Sequence, residues 1–194
     1  MDHIVLAIKT TGNTPSKGHQ ISELLAIRIN SSSKETSRLA LQFTNNSTAE
    51  MTLSASYSTV RDFIADTPVV THDGYNWRRF ARAGFSSQSN DLMKKFLSNT
   101  IDVSEWSKRI YPNQRKDIDS LCKRLKIAVA PSHVGLDREV EAVTKILPLM
   151  DRLSAVSGKK KAHQLAPQPV AEQKRPETFF TRLLRAGKVL RGIQ

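Results

Sequence analysis

The sequence predicts an α/β fold: a mixed central sheet flanked by helices, with a flexible basic C-terminal tail. Three observations predict it. Residues 4–9 form an almost unbroken apolar run of strand length, the pattern of a strand covered on both faces. Two more strand-like runs follow before residue 44, and the apolar period then changes from two to 3.6. The charge is uneven: the net is +12, and residues 158–194 hold nine Lys/Arg against two Glu, which places +7 in the tail and +5 in the body.

The elements follow in order. After the strand at 4–9, a Gly/Pro/Ser turn (12–18) leads to a strand at 21–29, where Ile21, Glu23, Leu25, Ile27 and Ile29 alternate with Ser22, Leu24, Ala26 and Arg28. Ser31-Ser-Ser33 makes a turn into a third strand at 39–43, completing an antiparallel meander. A polar stretch leads to a short helix at 59–65 with Val60, Phe63 and Ile64 inward. A brief buried strand at 68–71 precedes a helix at 73–83. A helical piece at 92–97 and a strand end at 101–103 enter a helix at 104–110. Asp117 can cap the next helix, whose face is Ile118, Leu121, Cys122 and Leu125. The last body helix starts near His133, carries Leu136, Val140, Val143, Leu147 and Met150, and meets Pro148, which favours a kink. The division is a body at 1–156, a Lys/Gln/Pro/Ala-rich linker at 157–175 and a basic amphipathic helix at 176–194.

Bulk properties bound the function classes. No apolar run approaches the roughly 20 residues that span a bilayer. Met1-Asp2-His3 leads straight into a strand, without the pattern of a signal peptide. A single cysteine, Cys122, excludes an internal disulfide framework, suits a reducing cytoplasm, and sits on an apolar face as a core residue. A net charge of +12 and a pI near 10.1 suggest a polyanionic partner, nucleic acid before a membrane surface.

Five segments in order carry a resemblance. Ile4-Val-Leu-Ala-Ile-Lys-Thr-Thr-Gly12 has the frame apolar-apolar-Asp-x-Glu-Thr-Thr-Gly. Thr71-His-Asp-Gly-Tyr-Asn-Trp-Arg-Arg-Phe80 follows His-Asn-Ala-x-Phe-Asp-x-x-Phe. Ile101-Asp102, Tyr111-Pro112 with the helix at 118–127, and Ser132-His133-Val-Gly-Leu-Asp-Arg-Glu complete the set. Over about residues 3–155 the chain resembles the DEDD-type (DEDDh, DnaQ-like) 3′–5′ exonucleases, nearest the proofreading epsilon subunits of bacterial replicative polymerases. The resemblance implies an RNase H-like fold. It also implies a site where four carboxylates hold two Mg²⁺ or Mn²⁺ ions and a histidine activates water.

Carried over residue by residue, those carboxylate positions become Ala7, Lys9, Trp77 and Arg138, and only the histidine persists, as His133. The formal charge there moves from about −4 to about +2, and like charges about 4 Å apart repel by roughly 4 kcal/mol at an effective dielectric near 20. No catalytic set, metal or cofactor is therefore expected. Asp137, one residue early, is turned about 100° away on a helix; Asp73 stands at the family's Asn position, several residues from the ligand; and Asn76, by a one-residue shift, is a weak neutral ligand. A groove of altered polarity is expected instead, binding a single strand or a 3′ end through Lys9, Thr10, Thr11, Trp77, Arg78, Arg79 and Arg138. Trp77 either stacks on a base or plugs the vacated metal cavity. His72 is expected to satisfy a local backbone bond.

In the tail, Gln173-Lys-Arg-Pro-Glu-Thr-Phe-Phe180 resembles a clamp-binding peptide, with Pro176 in place of its aliphatic anchor. Alternatively Pro176 opens a helix whose apolar flank includes Phe179, Phe180, Leu183 and Leu184. Either form suits a replication protein, a polymerase subunit or sliding clamp, bound through Gln173, Phe179, Phe180, Leu183 and Leu184, ahead of docking on the chain's own body or on an anionic membrane. The expected function is a non-catalytic exonuclease-fold protein that binds nucleic acid or a replication partner. The alternative is an active metal-dependent 3′–5′ exonuclease with non-standard ligands, which alone would need Mg²⁺ or Mn²⁺.

Overall fold

The computed structural model describes residues 2–43, 55–85 and 90–165. The chain divides into two units, Met1–Ser157 and Gly158–Gln194, and the sheet belongs to the first. Of the second unit only 158–165, the end of the last helix, are described, so Gln173, Phe179, Phe180, Leu183 and Leu184 lie outside the described residues.

Strand β1 (His3–Thr10) carries apolar side chains on both faces and takes the centre of a five-stranded sheet. β2 (Ile21–Ile29) and β3 (Glu35–Gln42) extend it as the expected antiparallel meander, while β4 (Val69–Thr71) and β5 (Thr100–Asp102) add on the other side in parallel. The order is β3-β2-β1-β4-β5. β3 starts earlier than the apolar pattern indicates, because its first residues are polar and hold their place through the ladder with β2. The pairing of β1 with β2 slips between Lys9 and Thr10, where Ser22 is the extra residue and its Oγ donates to the Lys9 carbonyl at 3.2 Å. That bulge moves Ile21 onto the face of Leu24 and Ala26.

Helices cover both faces. On the Ile4–Leu6 face lie α1 (Tyr57–Ile64), α2 (Gly74–Gly84) and α3 (Asn90–Ser98), with Trp77, Phe80, Phe85 and Met93 in the core. On the Val5–Ala7 face lie α4 (Val103–Ile110), α5 (Ile118–Leu125) and α6 (Gly135–Leu165). Cys122 is buried there, and its burial pushes the thiol pKa up, as suits a core residue. α6 contains Pro148 and runs to Leu165, through the start of the stretch read as linker. Aspartates set three helix starts: Asp73, Asp102 and Asp117 accept from the backbone N–H of Asn76, Glu105 and Ser120 at 3.0, 3.1 and 2.8 Å. Gly74 is required where α2 meets β5, since a Cβ there would stand 2.9 Å from the Asp102 side chain.

Candidate functional site

β1, β4 and β5 run parallel, so their C-terminal ends open on one side of the sheet, the edge at which α/β folds place ligands. The first turns of α2 and α6 reach this edge. Gly12, just past β1, lies against the His19 ring so closely that a Cβ would stand 2.6 Å from it. Thr11 and Gln20 close the same loop, the Gln20 N–H donating to Thr11 Oγ1 at 3.0 Å. Thr10 is half-buried and Thr11 exposed beside them.

The four positions that correspond to metal ligands do not fit a metal. Ala7 is fully buried among Val5, Leu25 and Val70, in an apolar layer that would push an aspartate toward its neutral form. Lys9 shares that side of β1, but its Nζ lies 2.5 Å from Glu23 Oε1, its direct cross-strand neighbour. Arg138 donates through Nη2 to Asp119 Oδ1 on α5 at 2.8 Å. Both cations therefore carry a counter-charge that the sequence reading did not assign. Glu23 was legible from hairpin register; Asp119 was not.

Trp77 is a core residue, as the plug reading expected, but it corrects the stacking role and the place of the plug. It is 0% exposed and packs with Ile4 and Leu6, on the face of β1 opposite Ala7 and Lys9. No base can stack on it there, and it does not fill the space beside Ala7. Its ring meets Phe96 edge-on at 6.1 Å, while its Nε1–H is buried with no partner. The reason is period: Trp77, Phe80 and Ala81 share one helical stripe, and that stripe is the core face. Asn76 instead donates its side-chain amide to Asp73 Oδ2 at 2.7 Å.

α6 spreads three consecutive side chains around its axis at about 100° each. Asp137 accepts from Arg38 of β3 at 2.7 Å and Arg138 turns to Asp119. The following residue, Glu139, faces His72 and Asp73. Glu139 is half-buried by area, and burial is the main cause holding its carboxyl pKa above the usual range; His72 opposes this and Asp73 adds to it. The α6 carboxyl that meets His72 and Asp73 is therefore the residue after Arg138, not Asp137 before it. His72 bonds through Nε2 to the Lys116 carbonyl at 2.7 Å, a distant partner rather than a local one. Among the described residues, no group of three or more His, Cys, Asp or Glu is arranged to hold a metal ion.

His133 lies elsewhere. Its Nδ1 is 2.8 Å from Glu141 Oε2, and both line a cavity of about 510 Å³ that includes neither Lys9 nor Asp73. Glu141 also accepts from Lys145 at 2.7 Å and from the Ala130 N–H at 3.0 Å. Lys145 above all, with Ala130 and His133, pulls its pKa from 4.5 down to about 2 against the opposing effect of burial. A depressed carboxylate pKa adds stability above about pH 4.5 that is lost as pH falls toward 2. Acid titration followed by urea unfolding is expected to show this loss, and Glu141→Gln to remove roughly 1–2 kcal/mol of it after allowance for screening.

Three arginines lie on α2. Arg78 Nη2 stands 3.8 Å from Asp102 Oδ2, and Arg79 Nη2 donates to the Asn13 carbonyl in the loop after β1 at 3.3 Å. Arg82 is exposed on the next turn. Among the described residues, no helix is long and apolar enough to cross a membrane.

Comparison with known proteins agrees with the fold. No family model matches the chain. It is 27% identical over 144 positions to DNA polymerase III subunit epsilon of Rickettsia conorii, covering 64% of this chain and 62% of that protein; the Rickettsia prowazekii subunit gives the same figures. The chain thus spans about 62% of the length of these relatives. Among solved structures, exonuclease I matches 84% of this chain and 45% of its own at a TM-score of 0.60 and 12% identity. The cell-death related nuclease CRN-4 matches 76% of this chain and 64% of its own at 0.56 and 11% identity. The chain is thus similar in sequence to these epsilon subunits and shares its RNase H-like fold, a mixed five-stranded sheet with helices on both faces, with these exonucleases.

Proposed function

We propose that this chain is a non-catalytic exonuclease-fold protein that holds single-stranded nucleic acid at the C-terminal edge of its sheet. The observation that carries this reading is the state of the four ligand positions: a buried methyl, a buried indole and two cations in surface ion pairs. Such pairs contribute about 0–1 kcal/mol, so a phosphate can displace the carboxylate partner of either cation. The tail, through Gln173, Phe179, Phe180, Leu183 and Leu184, would dock a replication protein, and a cytoplasmic setting follows from that role.

The test is retention without hydrolysis. A 5′-labelled single strand incubated with the protein and Mn²⁺ is expected to be retarded in a native gel and to remain full length. Shortening of the strand would establish the second reading, an active metal-dependent exonuclease with unusual ligands. The juxtaposition of Glu139 and Asp73 favours that reading, because a carboxyl with a perturbed pKa at a sheet edge is a common mark of chemistry. Glu139→Gln would then abolish the shortening, whereas strand binding alone would survive it.

A further inference from the structure

Among the described residues, two large apolar side chains are strongly exposed, Val134 at 74% and Tyr75 at 61%. Tyr75 sits in the first turn of α2, two residues after the cap Asp73 and on the helix side opposite the core stripe. One side of its ring is backed by Arg79, whose Cζ lies 5.0 Å from the ring centroid. The same guanidinium is fixed from behind by the Asn13 carbonyl, and its Nη1 stands 3.5 Å from Asn76 Oδ1. An exposed aromatic ring normally loses rotamer freedom when it binds a ligand. Here the ring is already braced against a charge tied to two neighbours, so that cost is reduced.

We propose that Tyr75, braced by Arg79, is the platform on which a base of a single strand stacks. This rests on the strand-binding reading above and supplies the surface that Trp77 cannot. Base stacking on an aromatic face is indifferent to sequence, and a duplex would hide the base faces it needs. Arg78, Arg79 and Arg82 lie three, four and seven residues further along α2, on Tyr75's side of the helix. The backbone phosphates belong on that side. On the other side Tyr75 lines a cavity of about 520 Å³ where Asp73, Asp102, Glu105 and Asp117 outnumber Lys108 and Lys116. That cavity repels phosphate and offers acceptors to base N–H groups.

The experiment is fluorescence anisotropy with a labelled oligothymidylate of roughly 12 nucleotides, and a ribouridine strand of the same length to separate DNA from RNA. Tyr75→Ala is expected to weaken binding roughly tenfold or more without changing the salt slope, and Tyr75→Phe to bind as the parent does. Replacing the strand by an abasic one of equal length should make parent and Tyr75→Ala indistinguishable, because only a base can stack. Melting curves matching the parent's check that each variant is folded. Tight binding by the parent with no loss in Tyr75→Ala overturns the platform and leaves the strand-binding reading intact. Failure of the parent to bind either strand at low salt overturns both. A loss in Tyr75→Ala equally large on the abasic strand overturns stacking in favour of a backbone contact.

Discussion

Trp77→Asp, which writes the family residue into position 77, is expected to unfold the body of the protein rather than create a ligand. Removing a buried Trp or Phe side chain down to alanine costs about 3–5 kcal/mol. A carboxylate left in its place among Ile4, Leu6, Phe80 and Phe96 adds several kcal/mol, whether it stays charged or takes up a proton. The sum is comparable to the roughly 5–15 kcal/mol that holds a domain of ordinary stability together. Trp77→Phe is the informative partner, because it keeps an aromatic ring against Phe96 and removes the buried Nε1–H that has no acceptor. The smaller ring leaves a void whose cost is about 1 kcal/mol, partly offset by loss of the orphan donor. Urea unfolding followed by circular dichroism measures both. A folded Trp77→Asp protein of parental stability would mean that position 77 faces solvent after all, and the site would have to be redrawn.

Raising salt from 50 to 200 mM is expected to weaken single-strand binding by about fifty-fold, if Lys9, Arg79, Arg82 and Arg138 each neutralise one phosphate. Phosphate contacts release condensed counterions, and each contributes about −0.7 to the slope of log affinity against log salt. Lys9 and Arg138 start from ion pairs with Glu23 and Asp119, neither of them buried, so the exchange costs little. The double variant Lys9→Ala, Arg138→Ala should halve the slope and leave about a seven-fold salt effect. Its melting temperature should stay close to the parent's, since neither pair is buried. A slope that ignores this double substitution would move the binding surface away from the vacated ligand positions.

The sequence already showed most of the architecture. β1 and β2 are apolar on both sides, which only a central pair of strands can use, and Ile118, Leu121, Cys122 and Leu125 repeat at helical spacing. The polar half of β3 was hidden because an outer strand is held by backbone bonds and needs no apolar signature. The site was less legible, and for two different reasons. Trp77 could have been placed by period alone, as it lies three and four residues from Phe80 and Ala81; matching it to a family position obscured that stripe. Glu139 could not have been chosen over Asp137, because one step along α6 decides which element a side chain meets, and that depends on how the helix is rotated in the assembled fold. Likewise, Asp119 as the partner of Arg138 required the packing of α5 against α6.

The outermost strands of the sheet also bear on whether another chain could extend it. β3 presents Glu35 and Arg38, locked to each other and to Asp137, while β5 offers only three residues before α4 begins. An incoming strand would meet charged side chains at one rim and would find almost no ladder at the other. Among the described residues, edge-to-edge sheet growth is therefore disfavoured at both rims.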